Sequence, residues 1–459
     1  MAETPGKLAR YLQPLARPTA TAVLTLGLAF SPAVVPGTEA TEPSAFDGRA
    51  LVALADGAML ASGYIDGHLG PRRPDLLSVI PLSGDNSLQR QDIEVSNSVA
   101  TWPNVLALTA DGSFAFVTEP FGQPGDEATE FSEIPRGSRI TVVDLSNLQT
   151  PRIVQEVEGA GPPAAIDLHP SGDLVAVTLP FDGRIALYPF AEGRLGAPTL
   201  HDLGLEELTN SFVPEFKWHP SGDFAAVTLG GADLVAFYRF DGEVLLPWGE
   251  PLRTAPLPGK GAWTPDGRYF VVTTITVTGD MAQLGYGRNA SLFAVFAFDG
   301  DQTPGSPPRR ANDRSTAYES APIQHARVAQ VPAGMGYVEN FAISPDGNWV
   351  IGLNMVASWL PSDHPGRSDY SELTLFAFDR ETGMMTPRGV TRLDGIVLPQ
   401  GITFDASGRN LAVTAYQGYD GGDGSLTFWH LETGAQPTLS QIGDPLPMPR
   451  GLHLVELVR

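Results

Sequence analysis

The chain has 459 residues, with 52 acidic against 29 basic side chains and a formal charge of -23. That balance repels polyanions, which argues against nucleic acid and anionic membranes as partners. The absence of cysteine excludes disulfides, thiolate catalysis and zinc-thiolate centres.

At the amino terminus, Lys7, Arg10 and Arg17 precede the apolar run TATAVLTLGLAF, and the small-residue stretch SPAVVPGTEATEPSA follows it. Basic, apolar, small is the order of a secretory signal. Glu3, Pro14 and Pro18 and the lack of a clean A-x-A site leave a disordered extension as the other reading. Residues 1–43 are therefore expected to be a signal peptide or disordered extension, and 44–459 a single folded unit that is periplasmic or secreted. The apolar run is shorter than the ~20 residues of a membrane-spanning helix, so no transmembrane segment is expected in the mature chain.

Beyond that stretch the chain repeats itself. Seven units align on a turn glycine, at Gly48, Gly112, Gly172, Gly222, Gly267, Gly347 and Gly408. Asp-Gly and Ser-Gly pairs suit tight hairpins, and the runs after them alternate as strands do. A further strand recurs in each unit, as in IALYPF, LVAFYRF and LFAVFAF, apolar on both faces like a sheet sandwiched between others. Units of about four strands repeating over about 45 to 80 residues predict an all-β, seven-bladed β-propeller of four-stranded antiparallel blades. The first unit lacks its first strand, and the carboxyl-terminal MPRGLHLVEL resembles the first strand LPQGITF of the preceding unit. The C-terminal strand is thus expected to complete the first blade and close the ring.

The x-P-D-G or H-P-S-G-D turn followed by an apolar strand and LxxFxFD resembles the seven-bladed lactonase-type propellers, the family of propeller 6-phosphogluconolactonases and their YVTN-repeat relatives. The resemblance runs from about Phe46 to the end and rests on structural turns. It implies lactone hydrolysis as one activity; no catalytic motif of that family maps onto these positions.

Topology restricts where a site can lie. Turns between first and second strands are minimal, whereas second-to-third loops are long at 56–74, 119–137, 276–289, 354–371 and 416–424, and long loops on a rigid scaffold are where ligands bind. The Pro-, Arg- and Ser-rich insertion at 299–320 reads as a surface loop. His169 and His219 precede Pro-Ser-Gly turns on the short-loop face and are expected to cap them rather than bind metal.

Counting back from each glycine aligns the innermost strands. One column holds Ala107, Asp167, Lys217, Ala262, Ala342, Thr403 and, by ring closure, His453; two residues earlier stand Val105, Ala165, Glu215, Lys260, Asn340, Gly401 and Gly451. Side chains two apart share a face, which places these columns along a central channel. Asn104, Glu339, Gln400 and Arg450 precede the strands at its long-loop mouth.

Such a convergence suits a polar or anionic small molecule. Glu339, Glu215 or His453 would serve as the base, with Lys260, Arg450, Asn340, Asn104 and Gln400 as substrate-binding groups. The structural alternative is that Asp167 with Lys217, and Glu215 with Lys260, pair along the channel. Two function classes follow: an extracytoplasmic lactonase-like hydrolase of a lactone or sugar-derived ester, or a non-catalytic scaffold binding a protein partner or ligand through its long loops. No cofactor is indicated. Asp420 and Asp423 in GYDGGDGS leave a divalent cation open but lack the following bidentate Glu, and GYGRNAS lacks the helix a phosphate cradle needs.

Overall fold

The structure, a computed structural model, describes residues 46–84, 87–102, 104–205, 212–276, 291–300, 323–334 and 336–459. The amino-terminal segment, the GYGRNAS stretch up to Ala290 and most of the 299–320 insertion lie outside those residues. Seven antiparallel sheets form a ring, five of four strands and two in which the outer strand is split. In the third blade, for example, Ile166–Leu168 pairs with Leu174–Leu179, which pairs with Arg184–Ala191.

Six of the aligned glycines, Gly112, Gly172, Gly222, Gly267, Gly347 and Gly408, adopt φ between +66° and +82°, the left-handed turn that any side chain would strain. Gly48 does not, because no strand precedes it to turn from. The missing strand is Leu452–Val458, which pairs with Ala50–Ala55 and joins the two ends of the chain in one sheet. Every inner edge is thereby paired, which removes the exposed strand edges of an open array.

Apolar alternation on both faces of the blades fills a separate core at each of the seven blade interfaces. Val52, Leu54, Val105 and Val117 pack between the first and second blades, and Leu51, Ala412, Phe428 and Val455 between the seventh and first. His169 and His219 cap their turns: the Nδ1 of each accepts from the backbone N–H of Ser171 or Ser221 at 3.1 Å. Their opposite ring nitrogens then donate to the turn carbonyls of the next blade, Gly222 at 2.9 Å and Gly267 at 3.0 Å. A histidine at this place staples consecutive blades. No helix among the described residues is long and apolar enough to cross a membrane.

Candidate functional site

Among the described residues, the long loops and inter-blade connections converge on one face, and what they bring there is largely apolar. Met59, Val99, Trp102, Phe212, Met355, Trp359, Leu398 and Tyr416 form a cluster independent of the seven blade cores, with Tyr64 and Tyr337 packed against it. Its members come from segments outside the repeat, so no column of the sequence aligns them. Within this cap, Tyr64, Tyr337, Glu339, Met355, Trp359, Leu398 and Gln400 line a small, partly open cavity of about 50 Å³.

The cavity holds a buried acid. Glu339 stands in the innermost strand Val338–Ile343, and Gln400 on the connection into Ile402–Phe404 donates its Nε2 to Glu339 Oε2 at 2.7 Å. Asn340 Nδ2 donates to the Gln400 carbonyl at 2.7 Å and fixes that connection against its neighbour. Burial lifts the Glu339 carboxyl to about 7, against the opposing hydrogen bond from Gln400. Tyr64 and Tyr337 are pushed well above the ordinary phenol value by burial and by Glu339, so both remain protonated. Tyr64 donates to the Val99 carbonyl at 2.7 Å. Gln400 Oε1 and the Trp359 indole N–H are buried with no partner among the described residues, which carries a free-energy cost.

The backbone around the cavity is also conformationally strained. Val356, Ala357 and Leu398 adopt φ of +44°, +64° and +47°, and for a β-branched valine that region is a genuine outlier. Ser358 holds Leu398 in place: its Oγ accepts the Leu398 N–H at 3.0 Å and meets Ser371 Oγ at 3.0 Å. Strain of this kind gathers at ligand sites, where the surrounding structure over-determines it.

The channel beneath holds the other expected charges, and they pair. Lys217 Nζ lies 2.9 Å from Asp167 Oδ1, and Lys260 Nζ 3.6 Å from Glu215 Oε2. Burial works against the Lys217 ammonium, but Asp167 and then Glu215 outweigh it and raise its pKa. For Lys260 burial prevails over Glu215 and lowers it.

One register differs from expectation. Position four after each turn glycine opposes the channel column, Thr403 against Ala412 for instance; four after Gly48 is Val52, which opposes Glu456. The residue level with Thr403 is therefore Glu456 rather than His453, and the one level with Gly401 is Leu454 rather than Gly451. The similarity of PRGL to PQGI misled by three positions, because without a hairpin the closing strand takes its register from side-chain packing. Glu456 joins the channel charges, its carboxyl raised by burial against the pull of Lys260 and Lys217. His453 instead meets the Asn97 side chain at 2.8 Å, and burial lowers its pKa to about 3, which leaves it neutral.

Arg450 is likewise apart from Lys260. It is 2% exposed, and its Nη2 donates to the Gly57 and Pro71 carbonyls at 2.7 and 2.6 Å. Asn104 donates to the Pro214 carbonyl, beside Glu215. Asp420 accepts the Gly422 N–H at 2.9 Å and Asp423 pairs with Arg73. Among the described residues no three His, Cys, Asp or Glu side chains are grouped to hold a metal ion. A second, open cleft in the second blade, of about 550 Å³, contains Glu119, whose carboxylate Arg139 engages at 2.7 Å.

Solved structures with this architecture include a Bacteroides fragilis protein assigned as a 6-phosphogluconolactonase, at TM-score 0.58 and 14% identity, covering 90% of this chain and 98% of that one. A counterpart from Bacteroides uniformis matches at TM-score 0.57 and 14% identity over 89% of this chain and all of the other. The periplasmic gluconolactonase of Pseudomonas aeruginosa matches at TM-score 0.56 and 17% identity over 89% and 99%. The fold is the one these lactonase-type propellers share. No family model matches the chain, and no curated protein matches it either.

Within that propeller, sequence reasoning had singled out Glu339, Asn340 and Gln400, and the structure brings them together. It keeps Glu215 with Lys260 in the channel and sets Arg450 and His453 against the first blade's loops. Tyr64, Tyr337, Met355, Trp359 and Leu398 were missed. The only signal for them was the length of the loops and connections that carry them.

Proposed function

We propose that the protein is an extracytoplasmic lactonase-like hydrolase whose general base is Glu339. The observation that carries this reading is the loop-face cavity, where a buried carboxyl is aligned by Gln400 and Trp359 forms part of the same lining. A group titrating near neutrality is suited to accept and return a proton. Glu339 takes a proton from water as its oxygen attacks the lactone carbonyl, and returns it to the ring oxygen as the carbon–oxygen bond breaks. The Trp359 N–H is the donor available to the developing oxyanion. Glu215, Lys260, Arg450 and His453 take no step, since each is engaged elsewhere.

The likeness to a periplasmic gluconolactonase and the basic, apolar, small order of the amino terminus support a periplasmic or secreted location. Intact-mass measurement of protein from its native host should find the mature chain starting within 31–45; retention of Met1 or Ala2 would overturn this.

A panel of aliphatic and sugar lactones tests the activity. Glu339→Gln keeps size and hydrogen bonding but removes the base, and should lower turnover on the order of a hundredfold while the protein stays folded. The exposed Phe181 and Tyr419, each beneath an arginine at 4.3 and 3.9 Å, favour a second reading, a scaffold that docks a protein partner through its loops. Absence of turnover with every lactone would leave that reading standing alone.

A further inference from the structure

We infer that the Glu339 cavity takes an apolar lactone, a small ring carrying an alkyl chain, in preference to a polyhydroxylated or phosphorylated sugar lactone. The inference rests on the hydrolase reading of the same cavity. Five of its seven lining residues are Tyr64, Tyr337, Met355, Trp359 and Leu398, and apart from two hydroxyls and one indole N–H they present carbon and sulfur to the cavity. The polar capacity is small and largely committed: Gln400 Nε2 is bound to Glu339 and the Tyr64 hydroxyl to Val99.

What remains is the Trp359 N–H, the Tyr337 hydroxyl, the second Glu339 oxygen and Gln400 Oε1. A reacting ester and its water consume that set. Each hydroxyl of a sugar lactone brings a donor and acceptors that would be buried against carbon, and such unpaired groups are rejected strongly. An anionic substituent fares no better. Both cations expected to hold one are engaged elsewhere, Lys260 by Glu215 in the channel and Arg450 by backbone carbonyls.

The test measures kcat/KM for γ-butyrolactone, γ-hexalactone, γ-octalactone and γ-decalactone beside glucono-δ-lactone and its 6-phosphate. The expected result is a rise of about fourfold per methylene until the cavity is full, with sugar lactones slower by about a hundredfold. Met355→Ala should shift the best chain length upward by about two carbons, a change that loss of stability would not produce. If the sugar lactones are preferred, or the alkyl series is flat, and Glu339→Gln abolishes that turnover, the class is wrong while the hydrolase reading stands.

If no lactone turns over, the hydrolase reading fails. The class is then judged by quenching of tryptophan fluorescence in the wild type and in Trp359→Phe. Chain-length-dependent quenching by the alkyl lactones, lost in Trp359→Phe and absent with glucono-δ-lactone, retains it. No quenching by any member rejects it.

Discussion

Replacing Glu339 by Gln should change how the stability of the protein depends on pH. In the folded chain burial raises this carboxyl from 4.5 to about 7, so the native state keeps a proton that the unfolded chain gives up. Native binding in excess of unfolded binding means stability falls as pH rises. The penalty starts near 4.5, grows through the interval and levels off above about 7. The full shift corresponds to about 3 kcal/mol, and Glu339 is only 7% exposed, so solvent screens little of it.

Burial also raises Asp56 and Asp75 on the first blade's loop, so the wild type declines with pH for other reasons. The informative quantity is the variant-minus-wild-type difference. Thermal or urea melts at intervals from pH 5 to pH 8 should show Glu339→Gln gaining on the wild type by up to about 3 kcal/mol across that range. A difference that stays constant with pH would mean that Glu339 holds no proton near neutrality. The base assigned to the cavity would then lose its physical ground.

Deleting residues 452–459 removes the strand that pairs with Ala50–Ala55, exposes two strand edges and should lower stability by several kcal/mol; an unchanged melting temperature would refute closure by this strand. Lys260→Met should destabilise by about 3 kcal/mol, because it removes the ion-pair partner of the fully buried Glu215 and leaves only the charge of Lys217 near it. Denaturant melts should rank it well below Glu339→Gln at pH 7, and the reverse order would contradict a structural pair.

Much of the propeller was legible in the sequence because its information is local and repeated. A turn glycine at +66° to +82° and two alternating strands are specified within about twenty residues, and repetition at Gly112, Gly172, Gly222, Gly267, Gly347 and Gly408 makes the signal hard to miss. The inter-blade pairs Asp167 with Lys217 and Glu215 with Lys260 were legible for the same reason, since each hairpin fixes its strand register relative to the next. That logic stopped at Leu452–Val458. With no hairpin to the first blade, only packing around the closed ring could place Glu456 level with Thr403, and His453 against Asn97.

The cavity was decided by tertiary structure alone. Tyr64 belongs to the first blade's loop, Tyr337 and Leu398 to connections, and Met355 and Trp359 to the sixth blade's loop. They meet because a closed ring forces all these segments over one channel mouth, where burying their apolar surface is favourable. Glu339 has an ordinary carboxyl in the sequence; its titration near neutrality comes from the desolvation that those neighbours impose.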